Sequence, residues 1–226
     1  MTVTHPARVF VTDFDGTMTR HDFYKLALDE LLPPDVPDQW AAYRAGEITH
    51  HEALRRYFGA IRASETEVLA VVDRMELDPG LKTAVAELGD AGWRVVVTSA
   101  GCEWYIRRLL AAAGVAVEVH ANPGRFEVGR GLLMEMPTDT PYRCDNLGVD
   151  KARVVREYLD AGRTVAFAGD GFPDAAAARL VPDSLRFARA DLADVLTREG
   201  LPFRPFEVWS EVARALLSFA SFEDRA

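Results

Sequence analysis

Five short apolar runs constrain this chain more than any other feature. They are Arg8 to Thr12 (RVFVT), Arg94 to Thr98 (RVVVT), Val115 to Val119 (VAVEV), Thr164 to Ala168 (TVAFA) and Leu185 to Ala188 (LRFA). Each is too short for an ordinary helix and is bounded by polar or small residues, so each reads as a buried strand. Helical patterns separate them. Leu81 to Leu88 stops at Asp90-Ala91-Gly92, Glu103 to Ala113 at Gly114, and Asp150 to Leu159 at Gly162. Glycine in that place accepts the left-handed conformation that ends a helix. Buried strands alternating with helices imply a parallel sheet covered on both faces. The expected fold class is α/β, with a doubly wound parallel-sheet core.

Residues 22–77 break the alternation. They read as helix from Asp22 to Leu32, a Pro33-Pro34 stop, helix from Gln39 to Arg44, and two further helices opened by Thr49-x-x-Glu52 and Ser64-x-x-Glu67. Both openings match the capping box, in which hydroxyl and carboxylate satisfy the free amides of the first turn. An all-helical insert after the first strand suggests a small cap over the carboxyl ends of the strands, where open α/β sheets bind ligands. The expected division is a core of residues 1–20 and 79–226 and a helical cap of 21–78. A second irregular stretch, residues 121–148, contains a hairpin pattern turning at Gly129 to Gly131.

Hydrophobic residues make up 49% of the 226 and charged residues 27%, a globular composition that excludes a disordered or fibrous chain. No apolar run reaches the roughly 20 residues that cross a bilayer, and the N-terminus has no apolar signal core. The two cysteines, Cys102 and Cys144, cannot form a disulfide framework and fit a reducing compartment. The expected location is the cytoplasm, with no membrane partner. A net charge of −9 argues against nucleic acid, which selects a basic face. An anionic substrate must therefore be received locally, by a metal ion or a few placed donors.

Asp13-Phe14-Asp15-Gly16-Thr17 follows the first strand directly. Carboxylates two positions apart point the same way on an extended chain. Close like charges repel unless a cation sits between them, so a metal site fits the pair; a solvated Asp-Gly turn fits it equally. A calcium loop fails, because the sixth position from Asp13 is Met18 rather than Gly and the twelfth is Tyr24 rather than Glu. Gly169-Asp170-Gly171-Phe172-Pro173-Asp174 follows another strand. In a parallel sheet those strand ends share one edge, so Asp13, Asp15, Asp170 and Asp174 can converge there. Such oxygen donors suit Mg²⁺. Thr98-Ser99-Ala100-Gly101, also at a strand end, reads as an anion seat or as plain helix capping. Lys151 opens a helix, where a cation opposes the helix dipole, and that placement hints at a role.

DFDGT, VVVTSAG, the lone Lys151 and GDGFPD, in that order, resemble the haloacid dehalogenase superfamily across the whole chain. The acidic residue at position 15 matches its phosphatase branch, and the insert resembles a C1 cap. The resemblance implies a Mg²⁺-dependent enzyme acting on a small phosphorylated metabolite. It implies Asp13 as nucleophile and Asp15 as general acid and base. Ser99, Ala100 and Lys151 would hold phosphate, and Asp13, Asp15, Asp170 and Asp174 the metal. Within the superfamily, Ile48 to Gly59 and Leu185 to Phe206 resemble the phosphatases of methionine salvage, and more distantly those of phosphoserine. Asp22 matches an acidic position in both groups. Tyr57, flanked by Arg55 and Arg56, stands where phosphoserine phosphatases carry a carboxylate-clamping Arg, so these four are candidate substrate residues. The methionine-salvage group has a Cys-rich stretch where this chain has only Cys144. A phosphotransferase and a non-catalytic phosphate-binding protein are the rival readings, and a monomer or homodimer is expected.

Other residues read more plainly. His50 and His51 read as exposed helix-start residues. Cys102 at a helix start reads as a packing residue, although such a place can lower a thiol pKa. Trp93, Trp104 and Trp209 read as core, and Leu216 to Phe219 as a segment that closes the sheet or a dimer contact.

Overall fold

The computed structural model describes residues 7–223. Strand β1 (Arg8–Thr12) leads into four helices: α1 (Phe23–Glu30), α2 (Gln39–Arg44), α3 (His50–Ala60) and α4 (Glu65–Asp73). Then come α5 (Leu81–Asp90), β2 (Trp93–Cys102), α6 (Glu103–Ala112) and β3 (Glu118–Asn122). The hairpin β4 (Gly124–Glu127) and β5 (Gly131–Met134) follows, and after it the short pair β6 (Arg143–Cys144) and β7 (Gly148–Val149). The chain finishes with α7 (Lys151–Asp160), β8 (Thr164–Gly169), α8 (Ala175–Ala178), β9 (Arg186–Ala188), α9 (Ala190–Glu199), β10 (Arg204–Pro205) and α10 (Trp209–Glu223).

Six strands form one sheet in the order β10-β9-β8-β1-β2-β3, and every pairing in it is parallel. The chain winds outward from β1 through β2 to β3, then returns to build β8, β9 and β10 on the other side. β1 is thus central and the winding reverses beside it, the place where such sheets open a ligand crevice. All five apolar runs contribute strands. The third starts at Glu118 rather than Val115, because Gly114 takes φ +67° and the Val115 N–H bonds back to Leu110 O at 2.9 Å. That bond closes the end of α6 and delays the strand. β2 runs past Thr98 to Cys102, with a break in its pairing to β3 on the way.

Trp209 is fully buried, stacks on Phe10 at 5.3 Å and donates to Thr12 Oγ1 at 3.0 Å. Leu216 is fully buried, and Phe219 packs its ring near Trp93. The α10 segment therefore closes the sheet. Trp93 is buried, whereas Trp104 is half-buried and packs on Phe126.

The helical insert leaves and rejoins the sheet through one bridge, Thr19 to Leu77. Ser64 forms a complete capping box with Glu67. Thr49 caps α3 by accepting from Glu52 N, but the Glu52 carboxylate turns to Arg55 and Arg56 instead of closing the box. Phe23, Phe58 and Tyr105 meet with centroids 4.7 to 6.4 Å apart and join the insert to α6. The β4–β5 hairpin lies under α3: a Cβ on Gly131, at φ +80°, would come within 2.5 Å of Phe58 O.

Candidate active site

The end of β1 sets the first carboxylate. Asp13 N donates to Ala168 O at 2.9 Å, so Asp13 still belongs to the sheet although its side chain reaches the edge. The chain then turns through Gly16 at φ +70°, where any side chain would collide with Asp170: a Cβ would stand 2.3 Å from Asp170 Oδ2. Thr17 Oγ1 donates to Asp170 Oδ1 at 3.0 Å. On the β8 side, Asp174 Oδ2 accepts from Asp170 N at 3.1 Å and Gly171 N at 2.9 Å. A backbone loop thereby fixes one acidic side chain beside the next.

Carboxylate oxygens of Asp13, Asp170 and Asp174 lie within 4.8 Å of one another, and all three residues are buried. Lys151 Nζ sits 2.7 Å from Asp13 Oδ1 and 2.6 Å from Asp174 Oδ1. Its helix begins with Asp150 accepting from Arg153 N at 3.1 Å. The unfavourable cation at that helix start is thus held by two carboxylates. Burial alone would lower Lys151; Asp13 and Asp174 outweigh it and hold the ammonium above its ordinary range. Burial, then Asp174, raises Asp13 well above the usual carboxylate range despite Lys151. Burial, with Asp174 next, pushes Asp170 up to about 7. With all three carboxylates ionised, one ammonium leaves two negative charges uncompensated in a buried place. All-oxygen hard donors and that residual charge fit a divalent cation.

Asp15 points elsewhere. Its carboxylate accepts from Tyr105 Oη at 2.9 and 3.0 Å, from Phe23 N at 3.2 Å and from Ser99 Oγ at 3.3 Å. Burial, then the Asp22 charge, pushes its pKa up to about 7. Two carboxyls from one short motif therefore serve separate surroundings, one facing Lys151 and the other facing Tyr105 and Ser99.

Ser99 and Ala100 line the same cavity as Asp13, Asp15, Lys151, Asp170 and Asp174. Neither Ser99 nor Thr98 caps α6. β2 continues to Cys102, whose side chain makes no capping bond, and Ser99 Oγ instead accepts from Gly101 N at 2.9 Å. Burial pushes the Cys102 thiol up to about 12, which leaves it an inert packing group. Asp22 lines the cavity and pairs with Lys25.

The expected substrate residues on α3 lie away from the cavity. Arg55 and Arg56 are exposed and both bind Glu52, at 2.6 and 2.7 Å, because that carboxylate lies one turn before them on the same helix. Tyr57 is buried, and its hydroxyl accepts from Gln39 N at 2.7 Å and donates to Asp38 Oδ1 at 3.2 Å. It holds the start of α2. None of these three is on the cavity wall among the described residues. His51 is buried rather than exposed, and His50 lines the cavity against the Trp40 ring at 5.0 Å.

Three supporting residues escaped the sequence reading. Tyr105 holds Asp15. Asn122 donates to Ala100 O at 2.7 Å and Leu147 O at 3.0 Å, and so fixes the loop beside Ser99. Asn146, exposed in the loop before β7, reaches the first turn of α3. Its Oδ1 accepts from His50 N at 3.1 Å and its O from His51 N at 2.8 Å.

Among known proteins, the chain is 25% identical over 212 residues to a 2-hydroxy-3-keto-5-methylthiopentenyl-1-phosphate phosphatase of Brevibacillus brevis, covering 92% of this chain and 94% of that one. The fold is similar to a probable phosphoserine phosphatase from Vibrio cholerae at TM-score 0.67 and 18% identity, over 96% of this chain and 66% of that one. It is also similar to a phosphoserine phosphatase from T. onnurineus at TM-score 0.60 and 18% identity, over 97% of both chains. The family model for haloacid dehalogenase-like hydrolases matches residues 10–179. That span runs from β1 to the end of α8 and contains every carboxylate of the cluster, so the chain belongs to the haloacid dehalogenase-like hydrolase family.

Proposed function

We propose that the protein is a Mg²⁺-dependent phosphomonoester hydrolase that works through an aspartyl-phosphate on Asp13, with residues 21–78 as the cap. One observation carries this reading. Asp13, Asp170 and Asp174 form a buried cluster around Lys151, while Asp15, two residues away, is held by separate donors in the same cavity.

The roles follow from these surroundings. An Asp13 oxygen attacks phosphorus; the phosphorus–alkoxide bond breaks and an aspartyl-phosphate forms. Asp15 gives its carboxyl proton to the leaving oxygen. A pKa near 7 leaves it able to donate and then to accept at neutral pH. Water then attacks phosphorus, yields its proton to Asp15 and releases phosphate from Asp13. Lys151, Ser99 Oγ and the Ala100 N–H hold phosphoryl oxygens, since this reaction is chiefly positioning and charge neutralisation. Asp13, Asp170, Asp174 and the Asp15 carbonyl would hold the Mg²⁺, which when bound neutralises charge on the phosphoryl oxygens.

The substrate is a small phosphorylated metabolite whose leaving group carries no second anion. The cationic side chains lining the cavity all have carboxylate partners: Lys25 with Asp22, Arg44 with Asp38, Arg179 with Glu199, and Lys151 with Asp13 and Asp174. A buried substrate carboxylate would stay unpaired, at a cost of a few kcal/mol. That disfavours phosphoserine and fits a phosphomonoester whose leaving alcohol is uncharged. The test is phosphate release from a set of small phosphomonoesters, with Mg²⁺ and with EDTA, for the wild type and Asp13→Asn. Release that needs both Mg²⁺ and Asp13 supports the reading, and release by Asp13→Asn at wild-type rate overturns it. Added acceptor alcohols in the same assay separate hydrolysis from phosphoryl transfer. Among the described residues no helix is long and apolar enough to cross a membrane.

A further inference from the structure

The cavity beneath the cap is larger than a phosphate site needs. It measures ≈ 740 Å³, within the roughly 300–1,000 Å³ that receives drug-sized ligands. Tyr24, Trp40, Tyr43 and His50 line its cap side. The Trp40 centroid lies 5.3 Å from Tyr24, 5.9 Å from Tyr43 and 5.0 Å from His50, and none of the four is fully buried. Burial, then the Lys151 charge, lowers His50 to about 4, so this ring too is uncharged at neutral pH. The core contributes Phe172, in the loop between Asp170 and Asp174. It lines the same cavity and is 60% exposed. An aromatic ring left this exposed in a cavity wall is apolar area that the fold itself leaves uncovered. The cations of the wall are all committed to carboxylates, and Asp191 adds negative charge to it. Flat aromatic faces without a spare cation select a flat, uncharged partner.

We propose that the outer part of this cavity is a stacking site for a flat, uncharged ring carried by the alcohol of the phosphomonoester, received by the cap rings around Trp40 and by Phe172 of the core. The proposal rests on the phosphatase reading for the end of the ligand that enters first, and on the two walls for the other end. Phe172 and Trp40 are then specificity residues: they touch the leaving group and leave the reacting atoms to Asp13 and Asp15.

The experiment uses the full chain with Mg²⁺ and three phosphonates, whose carbon–phosphorus bond resists the enzyme. They are pentylphosphonate, 4-(methylthio)butylphosphonate and 3-phenylpropylphosphonate, with dissociation constants read by calorimetry. Stacking predicts that the phenyl ligand binds at least about tenfold more tightly than either chain. It also predicts that Phe172→Ala lowers that preference by roughly 3- to 10-fold. Phe172 is exposed, so the variant keeps its fold, which circular dichroism checks. Equal or tighter binding of either chain overturns the proposal, and so does an unchanged preference in Phe172→Ala. Because binding is read without turnover, the result stands apart from the hydrolase reading, which fails instead if butyl phosphate and its phenyl counterpart both release no phosphate.

Discussion

A side chain at Gly16 would have to occupy the space of the Asp170 carboxylate, in a backbone conformation that L-residues resist. Gly16→Ala should therefore cost about 1–2 kcal/mol of stability and displace Asp170. Urea melts and Mg²⁺ titration check this, and the expected loss of Mg²⁺ affinity is at least about tenfold. Lys151 is the matching electrostatic centre. Lys151→Met leaves Asp13 and Asp174 without their cation, and removing one partner of a buried pair costs about 3–5 kcal/mol. Added Mg²⁺ should restore part of that loss, which denaturation with and without the metal would show. Tyr105 tunes Asp15, because its hydrogen bond favours the ionised carboxylate and lowers the pKa. Tyr105→Phe should raise the Asp15 pKa above its value of about 7. Asp15 then stays protonated to higher pH, and the alkaline limb of the rate profile moves upward. A limb that stays put or moves down would contradict the assignment of Asp15 as the acid.

At the scale of elements, α3 is the piece that joins the helices after β1 to the loop before β7. Its first turn is satisfied from two directions: Thr49 accepts from Glu52 N, and Asn146 in the core loop accepts from His50 N and His51 N. Free amides at a helix start are satisfied by such partners. Asn146→Ala removes the side-chain acceptor and keeps the backbone one, so the expected cost is about 1 kcal/mol, comparable to losing an N-cap. Ser64→Ala on α4 should cost a similar amount. The two differ in readout: the Asn146 change should also alter KM, because Asn146 lines the cavity and ties down its roof, while the Ser64 change should affect only the denaturation midpoint. The capping box at Ser64 was legible from Ser64-x-x-Glu67. The one suggested at Thr49 is only half made, because a pattern cannot tell that Arg55 and Arg56 outcompete the Thr49 amide for Glu52.

For the whole molecule, burying carboxylates makes stability depend on pH and on metal. Asp170 holds its proton to about 7 in the fold, and Asp13 is raised well above its usual range. A raised carboxylate means that the folded protein holds protons the unfolded chain has released. This group's contribution to stability therefore falls as pH rises from the ordinary carboxylate range through about 7. His50, lowered to about 4, acts in the opposite direction from that value up to its ordinary range near 6.5. The metal effect separates the two, since Mg²⁺ must displace the carboxylate protons. The rise in melting temperature on adding Mg²⁺ should be small near pH ~5. At pH ~8 it should reach about 5 °C or more when Mg²⁺ is near 100 times its Kd. Differential scanning calorimetry at both pH values checks it; an equal shift at both would mean that the cluster does not bind the ion. Much of this was written in the chain. Period and length marked the strands, because a buried strand must be short and apolar, and the acidic motifs lay at strand ends because a parallel sheet brings those ends to one edge. The pattern of the chain thus specified the fold class, the run of helices after the first strand and the convergence of Asp13, Asp170 and Asp174. Tertiary structure alone decided what lies across space from them. It turned Asp15 toward Tyr105, set Lys151 between two carboxylates, drew Arg55 and Arg56 away to Glu52, and brought Trp40 and Phe172 to one cavity. The physical reason is that local patterns fix which way a backbone runs, whereas the partner of a side chain depends on packing between segments far apart in the chain.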